Sequence, residues 1–348
     1  MNGAMNKQGG FSENQRANYV LAGGIAFALG FTLLIWWLGP ALGRFLRVLL
    51  PDQGSSWYYW KLPTREFWTM SIAWSLYLAH QLLIWGLIYW AQKGLLIRKR
   101  VLGLHLYTAA ALVVNVSFVF AHLVQTHLWF DGLAQDVPIL TSQGSVIVML
   151  VIILIIENQR RGLFLGRKAG KPFTAQVSAW FRSSHKYIVA WALVYTFWFH
   201  PMVADPQLLS GFFYMFLLFT QVSLAYTSIH LDRRWIILLE SFVAIHAVIV
   251  AIFNTVFFDS ADMWPMFFSG FAFMFVFTYM YALKAPKLVY GAVTAIYAGF
   301  LAWLYLPKPI GLGRSLSALM RLEMLWIPIV LYGLAALFAG LAYLKIRR

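Results

Sequence analysis

Not one of the 348 residues is a cysteine. That absence excludes a disulfide, an iron–sulfur cluster and any thiolate ligand, which leaves histidine, methionine and the carboxylates as metal-binding side chains. Charge is scarce as well. Only 11% of residues are charged while 61% are hydrophobic, against about a quarter charged in a soluble domain. An ordinary water-soluble fold is therefore excluded, and the lipid bilayer is the expected surrounding. Acidic residues number 12 against 27 basic ones. The basic residues fall in short connections between apolar runs, so they read as orientation signals and no nucleic-acid partner is expected.

A span needs about 20 apolar residues, and runs of that kind predict helices at 19–39, 68–91, 102–129, 143–157, 186–202, 209–229, 235–256, 263–283, 288–306 and 324–345. The expected fold class is all-α, a polytopic transmembrane bundle of about ten helices. Residues 1–18 form a short polar tail and 19–348 a single integral membrane domain. The tail carries no cleavage pattern, so the first apolar run is expected to be kept as a helix. Basic connections (Lys93 with Arg98, Lys99 and Arg100; Arg160 to Arg182; Arg233 and Arg234; Lys284 and Lys287; Lys345 to Arg348) alternate with connections holding Asp131 and Asp136, Asp205, or Asp259 and Asp262. By the positive-inside rule both termini are cytoplasmic, in a bacterial-type inner or plasma membrane.

Two loops go against that charge pattern. Residues 40–67 carry Arg44, Arg47, Lys61 and Arg65, and 307–323 carry Lys308, Arg314 and Arg321, yet both fall outside. Trp57, Tyr58, Tyr59 and Trp60 in the first suit a segment lying among headgroups better than a substrate site. No internal repeat is apparent, and Gly311-Leu312-Gly313 follows no strand, so it is no nucleotide loop.

Ionisable groups inside a membrane commonly face a cavity, a cofactor or a pathway. Here they are mostly histidines. His105, His185 and His230 fall at cytoplasmic helix ends, His122, His127 and His200 toward the outside, and His80 and His246 near mid-depth. The third and fifth helices run in the same direction, which levels His105 with His185 and His122 with His200. Two stacked pairs result, roughly 22 to 25 Å apart. One imidazole from each of two helices can clamp a haem, so the pairs have room for two haems b and an electron path across the bilayer. His185 and His200 lie roughly 60° apart around their helix, whereas His105 and His122 differ by roughly 100°. His127 could replace His122 as the outer ligand.

The segment Ser184-His185-Lys186-Tyr187, followed by Tyr195 and His200, comes after a basic loop with Arg160-Arg161-Gly162-Leu163; Arg100-Val101-Leu102-Gly103-Leu104 leads into the third helix. Over residues 98–203 the sequence thereby resembles the ferric-reductase-like transmembrane proteins, which share a dihaem core with the NADPH oxidases. The resemblance implies haem-iron ligands at His105, His122, His185 and His200, and a haem-dependent membrane oxidoreductase or its electron-transfer subunit, served by a separate soluble or membrane electron donor. The spacing on the third helix is wider than that family's.

Other readings of the same residues stay open. Histidines in a helical membrane protein also make plain interhelical hydrogen bonds. Asn115 and Ser117, with Gln81 beside His80, could orient ligating imidazoles or serve as such contacts. A cofactor-free transporter or channel would use the intramembrane histidines and Glu240 to line a solute or proton path, with Glu240 and His246 as a proton relay, although an interfacial ion pair of Glu240 with Arg233 or Arg234 is the favoured reading of that carboxylate. A lipid-modifying enzyme would meet its substrate at the bilayer surface. An iron hydroxylase is disfavoured, since no two histidines are adjacent.

Overall fold

A computed structural model describes residues 5–46, 60–97, 103–258 and 263–347. Arg47, Trp57, Tyr58, Tyr59, Arg98 to Leu102, Asp259, Asp262 and Arg348 lie outside the described residues. Every regular element of the described residues is helical. The α-helices are α1 (Met5–Leu38), α2 (Phe67–Gln92), α3 (Leu106–Trp129), α4 (Ile139–Arg161), α5 (Ala175–Phe199), α6 (Pro206–Ser223), α7 (Arg233–Phe258), α8 (Trp264–Phe277), α9 (Lys287–Tyr305), the short α10 (Leu316–Met320) and α11 (Trp326–Arg347).

Among the described residues eight segments, built on α1 to α4, α7 to α9 and α11, are long and apolar enough to cross a membrane, the first running from Gln15 to Arg44. Their outward faces carry bare Trp36, Trp37, Leu82, Ile296 and Leu337, a surface that water would not tolerate and hydrocarbon does. The chain is an integral, multi-pass membrane protein. Helices α5 and α6 fall outside the eight for a physical reason. The first half of α5 is polar, with Arg182, Ser183, Ser184, His185 and Lys186. Most of the 18-residue α6 is buried within the protein, so it needs less apolar surface of its own.

Two helix boundaries correct the sequence reading. α5 begins at Ala175 rather than 186, because no glycine or proline interrupts 175–200 and long basic side chains can lie along a helix with their charges outward. His185 is therefore inside α5, not at its end. α3 begins at Leu106, with His105 as the extended N-cap residue before it.

The membrane domain divides into two compact units, one of residues 1–146 and 186–236, the other of 147–185 and 237–348. In the first, α1 lies against α6 with Gly24 facing Thr220 so closely that a Cβ would come within 2.5 Å of its side chain. Phe31 meets Phe216 edge-on at 5.4 Å. In the second, Gly270 of α8 takes Ile327 of α11 in the same way, at 2.8 Å. Small residues at such crossings bring backbones together where hydrophobic driving force is absent.

Candidate functional site

The first unit gathers His80, His122 and His200 around Trp198 of α5. The Trp198 indole donates to Nδ1 of His80 at 3.2 Å, which places the ring proton on Nε2. That nitrogen donates to Oδ1 of Asn115 at 3.0 Å, Asn115 Nδ2 to Ser223 Oγ at 3.1 Å, and Ser223 to the Phe219 carbonyl at 2.8 Å. Four helices are tied by this chain. It ends in a helix carbonyl. Phe118 stacks on His80 at 4.5 Å.

His122 is completely buried. Its Nε2 donates to the His200 carbonyl at 2.9 Å, and its Nδ1 meets Gln125 Oε1 at 3.0 Å. The outer pair of the haem hypothesis is thus brought to one level, as its spacing predicts. The contact, however, joins a ring to a backbone carbonyl. An axial pair needs two imidazoles facing each other across a slot, each with a lone pair aimed at iron. Here Phe197, Trp198 and Phe212 lie 4.9, 4.3 and 6.1 Å from the His122 ring, and the His200 ring meets Trp60 at 5.2 Å. These residues as arranged do not fit a haem. His127 is no substitute: its Nδ1 donates to Leu123 O at 2.9 Å and its Nε2 faces Leu38 O at 3.4 Å.

The inner pair is divided between units, His105 in the first and His185 in the second. His185 Nδ1 bonds the Arg182 carbonyl one turn back, at 2.7 Å. Among the described residues no three His, Asp or Glu side chains converge to hold a metal ion.

Beside the His122 cluster lies a charged clasp. Arg65 Nε reaches Asp131 Oδ2 at 2.7 Å and its two terminal nitrogens grip Asp136. Trp74 donates to the same Asp136 at 2.6 Å. Burial works against both charges, but the hydrogen bonds and mutual attraction outweigh it: Asp136 is held below its ordinary value of 3.8 and Arg65 is raised. Trp60, read from sequence as a headgroup aromatic, is instead buried and donates to Asp205 at 2.6 Å.

The second unit holds a different constellation. Arg161, the last residue of α4, is buried to 1% of its side chain and pairs through Nη1 with Glu240 of α7. The partner is neither Arg233 nor Arg234. The Arg161 guanidinium also lies 4.7 Å over the Tyr279 ring. Among the described residues its Nε and Nη2 have no hydrogen-bond partner. His246, six residues beyond Glu240 on α7, is roughly 120° around the helix from it. The two share no face, which removes the geometry a relay along α7 would use.

After Arg161 the chain makes a tight turn, Gly162-Leu163-Phe164-Leu165-Gly166. Gly162 has φ +84° and a Cβ there would lie 2.5 Å from backbone, so the turn requires glycine. Buried Asn158 fixes the rest of the loop, accepting from Ala169 N at 2.9 Å and donating to Phe173 O at 3.2 Å. Thr278 donates to Leu163 O at 2.8 Å and shares a hydrogen bond of 2.5 Å with Tyr332. The turn thereby presents Leu163 and Phe164 as one wall of a groove of about 510 Å³, completed by Phe273 of α8 and by Ile329, Tyr332 and Ala336 of α11. Apart from the Tyr332 hydroxyl, the wall is apolar.

Sequence reasoning names Glu240 but misses Arg161, Tyr279, Tyr332 and the groove. The doublet Arg160-Arg161 at the end of an apolar run was the available signal, and it reads first as an orientation charge. Compared with known proteins, the chain matches no family model, no curated protein and no solved structure.

Proposed function

We propose that the protein handles lipid: its groove in the second unit takes an apolar chain from the bilayer, as the lipid-modifying reading would require. The observation that carries this is the groove itself. Pro328, Ile329, Tyr332 and Ala336 form one stripe of α11, roughly 12 Å long, facing apolar residues of the Gly162–Gly166 turn and of α8. Ile329 is 49% and Phe164 43% exposed in the protein alone, so an occupant would bury substantial apolar surface. The expected result is that Ala336→Phe, which fills the groove, displaces a chain-bearing ligand while the fold survives. Equal ligand retention by that variant would defeat the reading.

The membrane arrangement we infer is ten spans, with α5 and α6 as inner helices and both ends in the cytoplasm. The exceptional charges of the outer loops support it. Arg65 is neutralised by Asp131 and Asp136, and Arg314 pairs with Glu323 at 2.9 Å, so those loops display less positive charge than their sequences suggest.

The rival reading is transmembrane electron transfer through two haems b at His105, His122, His185 and His200, with a separate electron donor. The shared level of His122 and His200 favours it, and the hydrogen bond from His122 Nε2 to the His200 carbonyl opposes it. A Soret band in the purified protein that shifts on dithionite addition would reinstate that reading.

A further inference from the structure

We infer that the second unit carries a preorganised surface for anionic lipid head groups, made by Arg167 and Lys168 of the loop after α4 and by Lys284 and Lys287 of the turn between α8 and α9. All four side chains are exposed. Two contacts bring the segments together. The Leu165 amide donates to the Phe277 carbonyl at 2.8 Å, and Gly166 sits against Tyr281 so closely that a Cβ would lie 2.9 Å from its side chain. Tyr281 in turn packs on Tyr290 in the first turn of α9, ring centroids 4.6 Å apart. Arg167 and Lys168 directly follow Gly166, and Lys284 and Lys287 fall between the two tyrosines. The backbone beneath the charges is fixed. Arg167 donates to the Phe164 carbonyl and accepts from the Leu163 amide, both at 2.9 Å, and Lys284 takes a left-handed φ of +53°, a conformation that disfavours any residue bearing a Cβ.

Nothing nearby compensates these charges. Neither 162–185 nor 264–322 contains an acidic residue, and the carboxylates at the adjoining helix ends, Glu157 and Glu240, are taken by Arg160 and Arg161. Orienting the chain requires positive charge on one side of the membrane, not its convergence on one spot, where like charges repel unless an anion joins them. Depth selects lipid over a soluble acidic partner. The apolar segments Ile139–Arg161, Trp264–Leu283 and Lys287–Tyr305, each long enough to cross a membrane, have ends here. Lys284 directly follows one of them and Lys287 opens the next, which puts both at head-group level. Phe164, Leu165, Leu283 and Leu288 are exposed beside the cations, Leu288 to 84%, so the surface mixes charge with apolar area as an interfacial one does.

The test uses the full chain in detergent after delipidation, titrated with phosphatidylglycerol and phosphatidylcholine of identical acyl chains and read by native mass spectrometry. Both are phosphodiesters, so the comparison isolates net head-group charge. Wild type is expected to bind phosphatidylglycerol about tenfold more tightly. Lys284→Gln with Lys287→Gln, and separately Arg167→Gln with Lys168→Gln, should each reduce that preference about threefold while leaving phosphatidylcholine binding as it was, which also reports that the fold is kept. Lys308→Gln with Arg321→Gln removes two exposed charges from a different loop and should leave the preference unchanged. Equal affinity of wild type for the two lipids, or an equal loss in the Lys308 and Arg321 variant, overturns the surface. Polyglutamate that displaces phosphatidylglycerol at matched charge would reassign the face to a soluble acidic partner and likewise overturn it. The surface does not rest on the groove: Ala336→Phe, which fills the groove, should keep the preference, and its loss there would merge the two into one site and overturn a separate surface.

Discussion

A buried imidazole in a helical membrane protein has two nitrogens to satisfy; at His80 protein atoms satisfy both, and at His122 the Nε2 proton is taken by the His200 carbonyl. The shared level of His122 and His200 was legible from sequence, because rise per residue fixes position along a helix. The partner was not, because carbonyls such as that of His200 leave no trace in residue identity. Asn115 was legible as a hydrogen-bond partner for an imidazole, though the ring it holds is His80. Replacing His122 with alanine strands the His200 carbonyl, at about 1–3 kcal/mol for an unsatisfied buried group. The thermal midpoint in detergent should fall accordingly; an unchanged midpoint would show that the ring is not a tie. At the charged clasp the sign follows from the direction of the shift. Asp136 titrates below its ordinary 3.8 when folded, so its contribution is complete above that value and is lost as pH falls through the depressed one. Stability measured across an acid series should therefore drop in that range, and Asp136→Asn should flatten the drop. A series identical for variant and wild type would contradict the clasp.

Among the elements, hydropathy located the long apolar helices and missed how far α5 extends. Its first eleven residues are polar enough to read as loop, yet they carry no breaker between Pro172 and Pro201. The turn from Gly162 to Gly166 follows the basic doublet Arg160-Arg161 in sequence and is, in the structure, one wall of a groove. Its geometry yields a paired prediction. Gly162→Ala forces a side chain into a left-handed conformation, about 1–2 kcal/mol, and against backbone at 2.5 Å, whereas Gly170→Ala meets nothing within 4 Å. The first should lower the thermal midpoint and weaken ligand binding, and the second should change neither. Similar behaviour of the two variants would mean that the turn does not shape the groove.

For the whole molecule, class was legible and functional centre was not. Composition alone set the bilayer as solvent, because 61% hydrophobic residues leave too little polar surface for water. The groove draws on 163–173, Phe273 and 325–336, three segments far apart in the chain, and no local pattern announces their meeting. The absence of cysteine makes orientation directly measurable. A single cysteine at Lys168 should react with an impermeant maleimide only from the cytoplasmic side, and one at Val137 only from the opposite side; the reverse pattern would invert the topology. The central claim, that the second unit holds a lipid chain, is tested most directly by counting lipids that stay bound to full-length protein through detergent exchange, by native mass spectrometry of wild type and Ala336→Phe. The account expects one retained chain-bearing molecule in wild type and none in the variant, whereas equal retention in both, or none in either, would contradict it.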